Sequence, residues 1–272
     1  MTRLDIPAGM QLKEIAHWNQ VEADWELFLS ANSEGCFVSE VDSRVVGTIT
    51  TMIYEDRFAW IGMVLVDPAF RNRGIGRALL RTAMEYLDSR GVPCMRLDAT
   101  PQGRPVYEKL GFADECEIER WSLERQAPQT NPDAAAPDLG EVLWLDREVF
   151  GADRSALLGA IARSAPEFVQ VLVGQTGVTG YALGRHGSHS DHLGPWVAHD
   201  QSGAEQMLDT FLARSGRESI VVDCLKSNPW ARGALEARGF EFGRPLTRMR
   251  RGGGIHPGRP EMVCGILGPE FG

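Results

Sequence analysis

Three arginines and two glycines fall within one short stretch, Arg71-Asn72-Arg73-Gly74-Ile75-Gly76-Arg77, directly after the apolar run ending Val64-Leu65-Val66. Gly74 and Gly76 allow backbone angles closed to other residues, and they let a ligand approach without meeting a Cβ. Apolar residues at helical spacing follow at once, so the turn opens a helix. The first amides of a helix lack internal partners and sit at the positive end of its dipole. A turn of this kind collects phosphate oxygens on its N–H groups, and Arg71, Arg73 and Arg77 add charge there. The chemistry expected of the stretch is capture of a pyrophosphate.

The elements that must position this turn are legible around it. Phe58 to Val66 is almost continuously apolar, as in a strand buried on both faces. Ile75, Leu79, Leu80, Ala83, Met84 and Leu87 recur at helical spacing until Gly91 and Pro93 stop the helix. Cys94 to Ala99 reads as a strand, and Pro105 suits the first turn of a helix carrying Tyr107. Upstream, Cys36 to Val41 and Arg44 to Thr51 form a hairpin turning at Asp42-Ser43. Two other phosphate loops are excluded. No lysine follows the glycines as a P-loop requires, and Leu79 occupies the third glycine position of a dinucleotide fingerprint.

Arg71-x-x-Gly74-x-Gly76 closely resembles the Arg/Gln-x-x-Gly-x-Gly/Ala signature of the GCN5-related N-acetyltransferases, and the order of elements over about residues 10 to 125 matches that family. The resemblance implies that Val64, Leu65, Val66, Arg71, Asn72, Arg73, Gly74, Ile75, Gly76, Arg77 and Tyr107 contact acetyl-coenzyme A. Tyr107, in the Tyr-x-x-x-Gly-Phe match Tyr107 to Phe112, implies a proton donor to the thioester sulfur. Phenol and thiol acidities lie close enough for that transfer. An N–H near Val64 and Leu65 is expected to polarise the thioester carbonyl. An ammonium must lose a proton before attack, and Asp98 and Glu55 are the candidates to take it.

The second half replays the first. Gln126 to Pro137, with three prolines and no period, reads as a linker between a catalytic domain at 1–125 and a second domain at 138–272. Helices at 141–150 and 156–163, a hairpin at 168–183, strands at 194–198 and 220–223, and a closing Gly239-Phe240 follow the same order. His199 to Ala204 offers no arginine–glycine cradle, and Leu235 stands where Tyr107 does. The expected fold class is therefore mixed α/β: two tandem acetyltransferase-like domains, each a mostly antiparallel sheet flanked by helices. The second is degenerate and shapes the acceptor site.

The chain has 272 residues, 43% of them apolar, and a net charge of −9. That charge argues against a nucleic-acid partner and mildly favours a cationic or neutral acceptor. No leader or membrane-spanning run is evident. The five scattered cysteines read as reduced core thiols, so a cytoplasmic location is expected. His186, His189, Asp191 and His192 crowd one segment, but without ligand spacing, and no metal is expected. Arg248 to Gly254 reads as a solvated basic strand end, and Met10 to Phe28 and Gly184 to Leu193 as specificity loops. The expected function is acetyl transfer from acetyl-CoA to a small-molecule amine, by a monomer or homodimer. An acyl-CoA sensor, or a transferase acting on a protein terminus or lysine, is the alternative.

Overall fold

A computed structural model describes residues 1–126, 138–175, 177–254 and 256–272, so nearly all of the linker reading lies outside the described residues. The first half runs α1 (Ile6–Ile15), α2 (Glu22–Asn32), β1 (Phe37–Val41), β2 (Arg44–Tyr54), β3 (Phe58–Val66), α3 (Ile75–Ser89), β4 (Cys94–Ala99), α4 (Arg104–Glu108) and β5 (Ala113–Glu124). The second runs α5 (Gly140–Phe150), α6 (Ser155–Ser164), β6 (Gln170–Gly174), β7 (Gly177–His186), β8 (Asp191–Ala198), α7 (Gln201–Arg214), β9 (Ser219–Leu225), α8 (Ala231–Ala237), β10 (Glu241–Gly252) and β11 (Val263–Gly265). Local chemistry explains the boundaries. Asp42 and Ser43 both take positive φ, 51° and 61°, the geometry of a tight hairpin turn. α3 starts from Gly74 at φ 81° and buries Leu79, Leu80, Ala83, Met84 and Leu87.

The halves share one eleven-stranded sheet, in the order β1-β2-β3-β4-β10-β5-β9-β11-β8-β7-β6. β3–β4 and β8–β9 pair in parallel. The last long strand of each half is exchanged. β10 lies against β4, with Thr247 opposite Ala99, and β5 lies against β9, with Ile118 opposite Leu225. The period-two pattern of a strand says which face is buried but not which neighbour it takes. The two sheets expected from sequence are therefore joined edge to edge, and two internal edges are removed.

α1 and α2 occupy Met10 to Phe28, where sequence suggested a loop; Trp25 and Phe28, fully buried, anchor α2 on the sheet. They share a core with Trp60, Val149, Leu158 and Phe271, which spans both halves. α3 covers the opposite face of β2–β4, in a separate core that reaches Met249 of β10. Among the described residues no helix is long and apolar enough to cross a membrane.

Candidate functional site

β3 and β4 face each other in register only at Ala59–Met95 and Trp60–Arg96, and beyond those pairs they diverge. On the other side of β3 the ladder slips. Thr48 opposes Leu65 while Thr50 opposes Gly62, so β3 carries an extra residue. That residue is a bulge, with Met63 at φ 51° and its carbonyl accepting the Thr48 hydroxyl at 2.8 Å. The edge of β3 from Ile61 to Val66 thus fronts a fork without a strand partner. Val64 packs on the same cluster as Ile75 of α3 and Tyr107 of α4.

The cradle closes the open end of the fork. Asp67 accepts the Ala69 amide at 2.9 Å and the Arg44 guanidinium at 2.5 Å, shaping the descent from β3. Arg71 Nε donates to the Val66 carbonyl at 3.1 Å. Asn72 takes φ 61° and Gly74 φ 81°, and Arg73 lies 5.1 Å over the Phe70 ring. Arg71, Asn72, Arg73, Gly74 and Arg77 are exposed. No side chain caps α3, so the amides of Ile75, Gly76 and Arg77 are left for a ligand. A Cβ on Gly74 would meet nothing within 4 Å, and one on Gly76 only Val66 Cγ2 at 3.5 Å, so the ground before these amides is open.

Tyr107 sits half-buried on α4 with its ring edge-on to Phe112 at 6.2 Å, and burial pushes its phenol up to about 12. The group is therefore protonated at neutral pH. Asp98, on β4, lies two residues past the last β3–β4 pair and is bound by Arg248 of β10 at 2.9 and 3.0 Å. Its side chain is fully covered; burial raises its carboxyl pKa against the opposing pull of Arg248. Glu55 lies at the tip of the β2–β3 hairpin, the opposite end of β3 from the cradle. There it accepts Arg147 at 2.6 Å, Arg57 at 3.2 Å and the Asp153 amide at 3.2 Å, fastening the halves together. The structure brings the cradle, Val64 and Tyr107 to one fork; Glu55 stands apart from it.

Other sequence features resolve differently. The basic stretch from Arg248 is the C-terminal end of β10, exposed from Gly252 on, but its first residues lie between β4 and β5, and Arg248 stacks on Trp60 at 4.4 Å. The histidines do not converge. His186 lies between Asp191 and Glu167, His189 meets Glu14, and His192 is buried beside Arg185. Among the described residues no group of three metal-ligating side chains is placed to hold a metal ion. Residues 187–190, joining β7 to β8, dock on the α1–α2 connection. Asn19 Oδ1 accepts the His189 and Ser190 amides at 2.9 Å, and the Ser188 amide donates to the Asn19 carbonyl at 2.8 Å.

A cavity of about 430 Å³ lies between the halves at the base of the fork, lined by Trp60, Phe150, Arg96, Glu115, Arg154 and Arg248 among others. Sequence reasoning missed the second-half residues of this wall and the segment 266–272 beside it, which carries no periodic signal. The corresponding fork of the second half is filled. β8 and β9 pair from Asp191–Ile220 to Leu193–Val222, and beyond that β11 lies between them, with Gly265 opposite both Trp196 and Cys224.

Residues 9–112 match the family model described as "Acetyltransferase (GNAT) family", and residues 142–265 match "Acetyltransferase (GNAT) domain". The holothin acyltransferase of Pseudoalteromonas sp. (strain SANK 73390) is 26% identical over 240 residues, 86% of this chain and 81% of that one. An uncharacterized N-acetyltransferase of Bacillus subtilis (strain 168) is 27% identical over 206 residues, 74% of this chain and 72% of that one. The solved structure of a Pyrococcus horikoshii protein assigned as an acetyltransferase superposes with a TM-score of 0.83 at 24% identity, covering 100% of this chain and 94% of that one. With its bulged, forked sheet and its phosphate-type turn, the chain belongs to the GNAT acetyltransferase family, as an acyltransferase built from two such domains in tandem.

Proposed function

We propose that the protein moves an acetyl group from acetyl-CoA to the amine of a small molecule, at one site per chain. The observation that carries this is the asymmetry of the two forks. The first is open between β3 and β4 and ends in a cradle of free amides; the second is occupied by β11. The pyrophosphate lies on the amides of Gly74 to Arg77 with Arg71 and Arg73 beside it, and the pantetheine follows the unpaired edge of β3. An N–H near Val64 and Leu65 polarises the thioester carbonyl. Tyr107, held protonated, returns a proton to the departing sulfur. Positioning the amine against the thioester supplies much of the remaining acceleration.

A small acceptor is favoured over a protein terminus because residues 187–190 close over the α1–α2 connection. The relative that acylates holothin, as its name states, is in keeping with this. The five cysteines are free, as in a reducing cytoplasm. The exchange of β5 and β10 supplies within one chain what a dimer would supply between two, so the active form is read as a monomer.

Calorimetry with CoA, together with thiol release from acetyl-CoA over a panel of amines, tests the reading. The expected result is one coenzyme per chain, and a Tyr107→Phe variant that binds with unchanged affinity but turns over ~10²-fold more slowly. Two coenzymes per chain would remove the asymmetry on which the proposal rests. Unchanged turnover would remove Tyr107 from the mechanism.

A further inference from the structure

Buried carboxylates in this chain are nearly all committed to cations or amides. Asp24 accepts Arg185 at 2.7 Å and the Val21 amide at 2.8 Å. Asp98 is held by Arg248, Asp146 by Arg154 and Tyr181, and Asp223 by Arg120. Glu270 is different. Its Oε1 accepts Arg185, while its Oε2 is buried and has no hydrogen-bond partner. Around it two more buried polar atoms lack hydrogen-bond partners: Arg185 Nε on β7 and Gln20 Oε1 before α2. An orphaned buried polar atom costs about 1–3 kcal/mol, so a cluster of three marks a place where water or ligand atoms belong.

The backbone places this cluster against the fork. A Cβ on Gly62 would meet the Glu270 carbonyl oxygen at 2.8 Å and the Glu270 Cβ at 3.2 Å, so the 266–272 segment lies directly on β3. Gly62 immediately precedes the bulged Met63. Trp60 Nε1 donates to the Pro269 carbonyl at 2.9 Å, the Tyr54 hydroxyl donates to the Phe271 carbonyl at 2.7 Å, and Phe271 stacks on Phe28 at 4.7 Å. Glu270 is therefore fixed from both sides, on the α1–α2 face of β3, opposite the face covered by α3.

We propose that Glu270 is the base of the transfer, taking a proton from the acceptor's ammonium through one water held in this cluster. The inference rests on the acetyltransfer reading above. Burial opposes ionisation of Glu270, but Arg185 outweighs it and holds the carboxyl below its ordinary range. The other charged or titratable groups facing it are Asp24 on α2, His192 on β8, Arg120 on β5 and Tyr54 on β2. His192 is pushed down to about 4 and Tyr54 is pushed up, so both are neutral near pH 7.

The step balances. The ammonium gives one proton to Glu270 and becomes a neutral amine. Its nitrogen forms the bond to the acetyl carbon, and the carbon–sulfur bond breaks. Tyr107 protonates the sulfur, and the second proton leaving the nitrogen restores Tyr107. Glu270 releases its proton to solvent, leaving amide, free thiol and one proton.

The test compares an amine that is cationic at neutral pH, tryptamine, with one that is already neutral, 4-methoxyaniline. In Glu270→Gln, kcat should fall ~100-fold with tryptamine and less than about threefold with the aniline, since only the first needs a base. Affinity for CoA by calorimetry should be unchanged. Equal losses with both amines would make Glu270 structural and overturn the inference, as would an undiminished tryptamine rate. Should the Gln variant not fold, Glu270→Asp carries the same comparison, with a ~10-fold selective loss expected. Wild-type protein that binds acetyl-CoA yet acetylates neither these two amines nor any of the panel above would overturn the acetyltransfer reading itself, and this inference with it.

Discussion

Arg248 donates two hydrogen bonds to Asp98, at 2.9 and 3.0 Å, across 150 residues of sequence and from an exchanged strand. The pair fixes β10 against β4 just past the point where β3 and β4 part, and it holds the Arg248 guanidinium over Trp60 in the cavity wall. Removing one member of a buried ion pair strands the other charge. Arg248→Met should therefore destabilise the protein by about 3–5 kcal/mol, and adding Asp98→Asn should recover part of that loss. Urea unfolding of the single and double variants measures both. A single variant as stable as wild type would show that the pair is not closed to water.

The cradle invites a substitution in which helix stability and ligand binding move in opposite directions. Gly76 lies in the first turn of α3, and a side chain there meets only Val66 Cγ2 at 3.5 Å. Gly76→Asp places a carboxylate at the positive end of the helix, worth about 0.3–1 kcal/mol of added stability. The same carboxylate occupies the ground before the free amides and repels a diphosphate. Thermal unfolding should show an equal or higher Tm, while calorimetry should show CoA affinity lowered at least ~10-fold, or about 1.4 kcal/mol. Undiminished affinity would place the diphosphate elsewhere.

His192 gives the protein an acid-side stability slope. Burial, with Arg185 adding to it, depresses its pKa from 6.5 to about 4. Between those values the unfolded chain binds a proton that the folded chain does not, so stability falls as pH drops through this window and levels off below it. The slope contributed approaches about 1.4 kcal/mol per pH unit. Denaturant midpoints between pH 6.5 and pH 4 should show a shallower dependence in His192→Gln than in wild type. Identical slopes would mean that this imidazole is protonated in the folded state.

The cradle was legible because it depends on neighbours in sequence. Arg71 to Arg77 lie within one turn, and the glycines, the helix start and the apolar run of β3 are all local signals. The same holds for Tyr107, one helix further on, and for the Asp42-Ser43 turn, whose positive φ angles follow from residue type. The repeat was legible too, from Gly111-Phe112 and Gly239-Phe240 in matching places, with glycines at φ 88° and 82°.

Tertiary structure alone decided the partners of long-range pairs. Sequence marked Asp98 and Glu55 as carboxylates near the right strands, but their cations, Arg248 and Arg147, come from the other half of the chain. β5 and β10 alternate like any half-buried strand, and alternation does not encode exchange. Glu270 stands in a stretch without period, and only folding lays it on Gly62 beside Arg185. A backbone turn is specified by its own residues. A buried charge is specified by whatever arrives opposite it, and for Asp223, Asp24 and Asp98 that partner arrives from more than a hundred residues away.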